Sequence, residues 1–397
     1  MRARDMVYAT GYGTLILWCA VLMCGLATEA QAQDGEAWRA PFAAGEEARR
    51  SGDAAAYALE MAAAAEAIPL GHLSRPFVQY HAARAAALNG REAEAVRWLR
   101  MAWDEDIESL MISFASHDPA FESIRDSGAF RSVMDLAAEM TLSTQRLGGG
   151  VHMITGAGSN VVVKVTRDAV LLVDTGYGPA LPALLRTIAD VGGGAVAAVI
   201  VTHPHEDHMG SAAELGVDAQ LYAHPGTAAA MAQPYVFMEG VSIPPKPASA
   251  QPDTRVDSEI SIDFGGEQIR ILPTVAHSTG DLSVYFTDAR VAHLGDAFLV
   301  SNPMMYPGTV DPDAFLDRLE RFLDAMHPET VIVGGHEEVA DLFAVRGQIA
   351  VTRDAMRFVR SSISEGRTIE ETARAGQDRF PPQWTAFFYQ LFTQPGR

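Results

Sequence analysis

The feature that most constrains this chain is a hexapeptide, H-P-H-E-D-H from His203 onward, that follows an apolar run. The run, Ala195–Val201, is typical of a buried strand. In an extended segment residues i and i+2 point the same way, so His203 and His205 can converge on one cation. Asp207 and His208 lie further round the bend and can reach a second cation. Imidazole and carboxylate groups suit zinc, whereas a histidine-rich surface loop, the alternative, would leave these polar groups beside a buried strand without a ligand.

Further polar elements follow the same pattern, each at the end of an apolar stretch. They are Leu171–Gly176 (ending D-T-G), His277–Asp281 (H-S-T-G-D), Leu294–Asp296 (L-G-D) and Gly334–His336 (G-G-H), with Asn160 opening the strand before the first. In this order they resemble the metallo-β-lactamase superfamily, whose signature is H-x-H-x-D-H after an apolar strand. The resemblance covers residues 150 to about 340 and implies an α/β fold, the αββα sandwich, with two metal ions.

The resemblance also assigns the ligands. It implies three ligands for a first zinc ion, His203, His205 and His277. It implies three for a second, Asp207, His208 and His336, with Asp296 bridging the two ions. Each ion then keeps a place for water, as catalytic zinc requires. Iron or manganese can occupy similar ligands.

Three further polar residues lie near these elements in the sequence. Asp174 would orient part of the ligand loop, and Asp281 would do similar work near His277. Both also suit the alternative of a turn aspartate that holds backbone amides. His293, in the strand before Asp296, is better explained as a core histidine than as part of the site.

Two zinc ions about 4 Å apart would share a hydroxide that attacks a carbonyl carbon, and Asp207 would orient this nucleophile. Asp296 makes the chain similar to glyoxalase II and related hydrolases. We therefore expect a metal-dependent hydrolase of a small thioester, ester or lactone. Hydrolysis of β-lactams is the first alternative. The second is a helical-repeat adaptor whose metal domain is regulatory.

The first 32 residues have the pattern of a signal peptide. Arg2 and Arg4 give a positive start, Leu15–Leu26 is mostly apolar, and Ala30–Ala32 offers small residues for cleavage. The apolar run is short for a membrane span. We expect a secreted or periplasmic protein that leaves the membrane after cleavage; the alternative is an uncleaved anchor.

Charge and cysteine content limit the chemistry further. A formal charge of -20 disfavours binding to nucleic acid, because such a surface repels phosphates. Both cysteines, Cys19 and Cys24, lie inside the predicted signal peptide. The mature chain would then have neither a disulfide nor a thiolate ligand, which disfavours the β-lactamases that use cysteine on the second zinc.

Residues 33–148 are rich in helix-forming residues and predict an all-helical domain. Two stretches, beginning at Gly52 and Gly90, can be aligned and resemble tetratricopeptide hairpins. An irregular helical cap is the alternative. Helical repeats offer concave surfaces, so a protein partner for residues 33–148 is expected.

The glycines at 148–150 predict the boundary to a catalytic domain over residues 149–345, in which short β-rich runs alternate with helices. A C-terminal helical extension over residues 346–397 is expected to follow. The proline-rich segment 234–257 predicts a long loop, either a lid over the site or a surface insertion.

Overall fold

The computed structural model of the protein describes residues 37–105, 111–299 and 311–393. The predicted signal peptide, residues 1–32, lies outside the described residues. Among those described, no helix combines the length and the apolar content that a membrane span requires. The chain divides into two compact units. The helical unit runs to Met140 and includes residues 235–244, and the sheet unit contains residues 141–234 and those from Pro245 onward.

The described α-helices are α1 Arg39–Ser51, α2 Ala54–Ala67, α3 Arg75–Leu88, α4 Glu92–Glu105, α5 Met111–Ala115, α6 Gly128–Met134, α7 Leu136–Glu139, α8 Leu181–Asp190, α9 Glu206–Met209, α10 Ala212–Leu215, α11 Pro225–Met231, α12 Pro312–Asp324, α13 Leu342–Ser364, α14 Ile369–Gly376 and α15 Pro382–Thr393. The described strands are β1 Ser143–Gly148, β2 Val151–Thr155, β3 Val161–Val165, β4 Val170–Val173, β5 Val196–Ile200, β6 Gln220–Ala223, β7 Tyr235–Met238, β8 Val241–Ile243, β9 Thr254–Arg255, β10 Ile260–Phe264, β11 Glu267–Pro273, β12 Leu282–Phe286, β13 Val291–His293, β14 Val331–Val333 and β15 Ala340–Asp341.

In the helical unit, α1 packs on α2 and α3 packs on α4. Gly52 and Gly90 separate the helices of these two pairs, with φ angles of 79° and 68°. Glycine adopts this left-handed conformation without the steric penalty that other residues meet. The two stretches aligned in the sequence thus occupy the same turn of consecutive helix pairs. The resemblance to tetratricopeptide repeats stays a prediction.

Residues 235–244 form a β-hairpin, β7–β8, that belongs to the helical unit. Phe237 stacks on Phe114, with ring centroids 3.9 Å apart and an angle of 8° between the rings, and it also meets the ring of Tyr80 edge-on. The prediction of one long loop over residues 234–257 is therefore wrong for this part. Prolines flank the hairpin. The high proline content of the segment favoured a loop, although two short strands lie between these prolines.

The first sheet of the sheet unit has the strand order β1-β2-β3-β4-β5-β6-β9. β1 to β4 pair antiparallel, and β4, β5, β6 and β9 pair parallel. The predicted domain boundary after Gly148 differs from the division after Met140. The glycines at 148–150 form the turn between β1 and β2, because residues 143–148 are already the edge strand of this sheet.

The second sheet has the order β10-β11-β12-β13-β14-β15, in which only the pair β13–β14 is parallel. The inner faces of the two sheets share one apolar core, to which Val162 and Ile200 contribute from the first sheet and Ile271 and Val284 from the second. Each of these residues is almost fully buried, as expected where two sheets pack face to face.

The C-terminal helices cover the outer face of the second sheet. Phe315 of α12, Val345 of α13 and Phe388 of α15 share a core with Tyr285 and Ile332 of that sheet. The predicted extension over residues 346–397 therefore starts within α13 and packs on the sheet unit itself. A helical region followed by a layered α/β domain, with two sheets packed face to face, confirms the predicted α/β fold class.

Candidate metal centre

The ends of two parallel strand pairs carry most of the residues predicted to bind metal. In the first sheet, Asp174 follows β4 and the H-P-H-E-D-H turn follows β5. In the second sheet, Asp296 follows β13 and His336 follows β14. Parallel neighbours end at the same edge of a sheet, so each pair brings its own polar residues together, Asp174 beside the turn after β5 and Asp296 beside His336.

The first group contains the three predicted histidines. The Nε2 atoms of His203 and His277 lie 3.0 and 2.9 Å from Nδ1 of His205. These three residues and Asp296 each offer a ligand atom within 4.8 Å of the others. Nitrogen ligands about 2.0–2.1 Å from a tetrahedral zinc ion lie roughly 3.3 Å from one another, close to this spacing.

The second group contains Asp207, His208 and His336. Oδ2 of Asp207 lies 3.3 Å from Nε2 of His208 and 3.3 Å from Nε2 of His336. The side chains of Asp207 and His208 are 12% and 0% exposed, whereas that of His336 is 35% exposed. Solvent therefore reaches this group beside His336.

Asp296 lies between the two groups and presents one oxygen to each. Its Oδ2 is 3.8 Å from Nε2 of His203 and 3.4 Å from Nε2 of His277. Its Oδ1 is 3.3 Å from Nε2 of His208 and 3.6 Å from Nε2 of His336. A carboxylate in this position is able to bridge two cations.

The polar atoms of this cluster suit metal ions better than they suit one another. Among the described residues, Nε2 of His208 and Oδ1 of Asp296 are buried and have no hydrogen-bond partner. Such groups are costly unless a partner completes them. A side chain at Gly335 would come within 1.8 Å of Asp296 and within 2.9 Å of His208, so only glycine leaves room for them. The donor set of imidazoles and carboxylates is the one that zinc prefers.

Asp174 holds the ligand-bearing turn. Its Oδ1 accepts a hydrogen bond from the backbone N–H of Thr202 at 2.7 Å, and its Oδ2 accepts one from Thr202 Oγ1 at 2.8 Å. The same Oδ2 lies 2.7 Å from Nδ1 of His208, and Thr202 Oγ1 lies 3.0 Å from Nδ1 of His203. Nε2 of both histidines therefore faces the centre, the arrangement expected of metal-binding histidines.

Asp281 supports the loop that carries His277. Its carboxylate accepts hydrogen bonds from the backbone N–H groups of Ala276 and Ser278, at 2.7 and 2.8 Å, and from the Ser278 hydroxyl at 2.6 Å. Burial outweighs these contacts and raises the pKa of Asp281 to about 6. Asp281 thus acts on both neighbours of His277 in the chain.

Asn160 and His293 fix the loops of the second sheet. The Asn160 amide donates to the carbonyls of Gly334 and Glu337, at 3.0 and 2.9 Å, on either side of His336. His293 is fully buried, its Nε2 lies 3.0 Å from the carbonyl of Asn160, and its Nδ1 accepts from Gly295. His293 is therefore a satisfied core histidine beside Asp296.

The histidines of the first group have lowered pKa values and are therefore uncharged at neutral pH. Burial lowers the pKa of His203 well below its usual value, and the neighbouring imidazoles lower it further. Burial likewise lowers the pKa of His205, and it lowers that of His277 to about 3. These imidazoles are neutral at pH 7 and keep lone pairs for a cation.

The second group shows the opposite behaviour. Burial alone would lower the pKa of His208, but Asp207, Asp296 and Asp174 raise it well above its usual value. Burial alone would raise the pKa of Asp207, but His208 and His336 hold it well below. Three carboxylates surround the imidazole of His208, so a cation that binds in this part of the centre is stabilised electrostatically.

Sequence reasoning missed several residues that shape the centre. Ser159 Oγ donates to the carbonyl of Asp207 at 2.7 Å, and Thr175 Oγ1 donates to that of His208 at 2.9 Å. Glu206, between two predicted ligands, is buried against Lys246. Short hydroxyl residues are common in every loop, so no sequence signal distinguished these.

Comparison with known proteins agrees with this geometry. Residues 154–336 match the family model of the metallo-beta-lactamase superfamily. They include all seven predicted ligands, so this part of the chain is similar to the metallo-β-lactamase superfamily, the resemblance that the sequence predicted.

Two curated relatives illustrate the similarity. Hydroxyacylglutathione hydrolase of Acidiphilium cryptum is 31% identical over 163 residues, which is 40% of this chain and 58% of the relative. The alpha subunit of 2,4-dinitroanisole O-demethylase from a Nocardioides species is 28% identical over 200 residues, which is 47% of this chain and 57% of that relative. The chain spans somewhat more than half the length of each. Among solved structures, the DIM-1 metallo-β-lactamase aligns with a TM-score of 0.43 and 17% identity, over 53% of this chain and 96% of that one.

Proposed function

We propose that the protein is an exported hydrolase that uses two zinc ions to cleave a carbonyl substrate, a small thioester, ester or lactone. The observation that carries this proposal is Asp296, whose two oxygens face two separate groups of histidines. Structural zinc sites are usually closed and single, whereas a paired centre with an exposed ligand suits hydrolysis. Hydroxyacylglutathione, named for several relatives, is itself a thioester.

When bound, zinc ions supply an activated water and polarise a carbonyl oxygen. The protein's own side chains orient the substrate and accept the proton of the attacking water. His336 is the most exposed member of the second group, so substrate approaches on its side. Asp207 is ionised and 12% exposed, and we assign it the role of accepting a hydrogen bond from the attacking water.

Zinc is our choice of metal because five imidazoles and two carboxylates make up the candidate ligand set. Iron and manganese accept the same donors.

Export rests on the N-terminal pattern, and mass spectrometry of protein recovered from the producing cells tests it. A mature chain that begins after Ala32 is expected, and an intact N-terminus would contradict export.

The decisive experiment combines metal analysis with a substrate panel. Purified wild-type protein is expected to contain two zinc ions per chain and to hydrolyse a thioester, ester or lactone faster than a β-lactam. Asp296→Ala is expected to retain at most one ion and to lose turnover. Two tightly bound ions in Asp296→Ala, or a preference for β-lactams, would contradict the proposal.

We also propose that the helical unit binds a protein partner. Leu70 and Leu73, in the segment between α2 and α3, are 82% and 81% exposed, and a partner that covered both would remove apolar surface from water. Cross-linking in producing cells with the full-length chain, compared with a Leu70→Ser, Leu73→Ser variant, tests this. Identical cross-linking patterns would leave these helices a structural cap.

A further inference from the structure

The chain contains only two lysines, Lys164 and Lys246, and all its other basic residues are arginines. Lys164 is buried, Lys246 is half-buried with a side chain that is 11% exposed, and each contacts a buried glutamate, Lys164 with Glu267 and Lys246 with Glu206. A lysine ammonium is compact and has three donors, so it fits a closed space in which a planar guanidinium needs more room. Neither Lys164 nor Glu267 adjoins a candidate ligand in the chain, whereas Glu206 lies between two of them, His205 and Asp207.

Lys246 connects the two ends of helix α9. Its Nζ donates to Oε1 of Glu206, the first residue of α9, at 3.1 Å. It also donates to the carbonyl of Gly210, directly after the last residue of α9, at 3.1 Å. The side chains of Lys246 and Glu206 are 11% and 4% exposed. One ammonium group thus spans a single helical turn from beginning to end.

That turn carries two of the three residues of the second metal group, Asp207 and His208. A helix of four residues has no stability of its own and depends on contacts with the rest of the protein. The first group depends on it less, since His203 and His277 lie outside the turn and only His205 adjoins it. Loosening of α9 should therefore affect the second metal more than the first.

Lys246 itself is held firmly. Its backbone N–H donates to the carbonyl of Met231, at the end of α11, at 2.8 Å. Pro245 and Pro247 flank it, and each proline ring fixes its own φ angle. The backbone of Lys246 is thus restricted before its side chain reaches Glu206.

Glu206 depends on this contact. Among the described residues, its second oxygen, Oε2, is buried and has no hydrogen-bond partner. Removing the ammonium would leave a buried carboxylate without a counter-ion, which is strongly unfavourable. Glu206 would then move, and it adjoins Asp207 in the chain.

From this geometry we infer that Lys246 is a positioning residue for the metal centre: by joining Glu206 to Gly210 it sets the affinity of the second metal position. The inference rests on the proposed two-metal function. Lys246 is not one of the candidate ligands; it acts through the shape of α9.

The test is zinc titration of metal-free, full-length protein against a chromophoric chelator, which yields the dissociation constant of each equivalent. Lys246→Met is expected to raise the dissociation constant of one ion, the one at the second position, about 10- to 100-fold, the usual effect of losing a group that supports a ligand. The constant of the other ion should change less than about threefold. Lys246→Arg should recover part of the lost affinity, because arginine restores the positive charge and the hydrogen-bond donors, although its guanidinium group is larger than an ammonium group.

Lys164→Met is the matched control, since it removes the other buried lysine–glutamate pair. It should lower thermal stability and leave both zinc constants unchanged. Adding Lys246→Met to His336→Ala, which already lacks a second-group ligand, should cause little further loss. Circular dichroism of the metal-free variants reports folding, and if Lys246→Met does not fold, Glu206→Gln and Lys246→Arg carry the same comparison.

Three results would overturn the inference while leaving the two-metal function intact. Lys246→Met could weaken the binding of both ions equally or leave both dissociation constants unchanged, or Lys164→Met could show the same selective loss of affinity. Wild-type protein that binds fewer than two zinc ions would instead refute the proposed function, and the role of Lys246 with it.

Discussion

In the helical unit, Asp118 is buried between the guanidinium of Arg84 and the hydroxyl of Tyr80, with contacts of 2.6 and 2.9 Å. In the metal centre, the imidazoles of His203 and His277 are buried just as deeply, yet both face the imidazole of His205. The first network joins opposite charges. The second brings together groups of the same kind, which suits folding only if something positive binds between them.

The comparison also separates two uses of buried polar residues. Asp118 additionally accepts from the backbone of Ala120 at 2.8 Å, so both of its oxygens have partners within the chain, although Nη1 of Arg84 is buried without a hydrogen-bond partner among the described residues. The centre leaves Nε2 of His208 and Oδ1 of Asp296 without partners among the described residues. We therefore expect the helical network to matter for stability and the centre to matter for metal binding, and each expectation can be broken by experiment.

The largest expected effect is the loss of all turnover in His205→Ala. His205 Nδ1 contacts both other histidines of the first group, so its removal leaves that group incomplete. Circular dichroism and the unfolding of the helical unit should stay as in wild type. Full activity of the purified variant would show that the centre has been assigned to the wrong residues.

Breaking the helical network should come next. Asp118→Ala leaves Arg84 buried without its carboxylate, which typically costs about 3–5 kcal/mol in the free energy of unfolding. Denaturant unfolding of the full chain measures this, and zinc content of the folded fraction should not change. Asp126→Ala is the control, because that exposed carboxylate should have no measurable effect. A loss of zinc in Asp118→Ala would contradict the separation of roles.

Removal of metal should have a somewhat smaller effect on stability. A ligand present at a hundred times its dissociation constant stabilises the folded state by about 2.7 kcal/mol. We expect a chelator to lower the melting temperature of wild type and to leave that of a variant lacking both His205 and Asp296 almost unchanged. The same melting temperature with and without chelator in wild type would rule out a tightly bound ion.

Lowering the pH should decrease the free energy of unfolding of the helical unit, and this is the smallest of the expected effects. Burial would raise the pKa of Glu46, but contacts with His81 and Arg49 lower it to about 2, below its ordinary 4.5. The ionised form therefore stabilises the fold above pH 4.5, and this contribution is lost as the pH falls from 4.5 towards 2. After allowance for partial exposure it amounts to about 2 kcal/mol.

Unfolding of wild type and Glu46→Gln across this pH range tests the sign. The wild type should lose its advantage over the variant as the pH falls. A difference between the two proteins that stays constant from pH 6 to pH 3 would show that Glu46 titrates at its ordinary pKa.

Periodicity and residue type predicted much of the sheet unit. The strands Val161–Val165 and Val170–Val173 lie within the short, mainly apolar runs of the predicted catalytic domain, and such runs favour buried strands. The sequence T-I-E-E from Thr368 has the pattern of a capping box, and in the structure the side chains of Thr368 and Glu371 bond each other's backbone at the start of α14. These features depend on neighbours within a few residues, which a sequence displays directly.

The sequence by itself, through its resemblance to the metallo-β-lactamase superfamily, also predicted the seven candidate ligands, which lie in two groups in the structure. Only the tertiary structure decided that residues 235–244 join the helical unit and that Lys246 contacts Glu206. These contacts depend on partners 40 or more positions away, such as Phe114 for Phe237, and on the shape of the space between them. No local pattern in the chain encodes such a distance, so packing alone selects the partner.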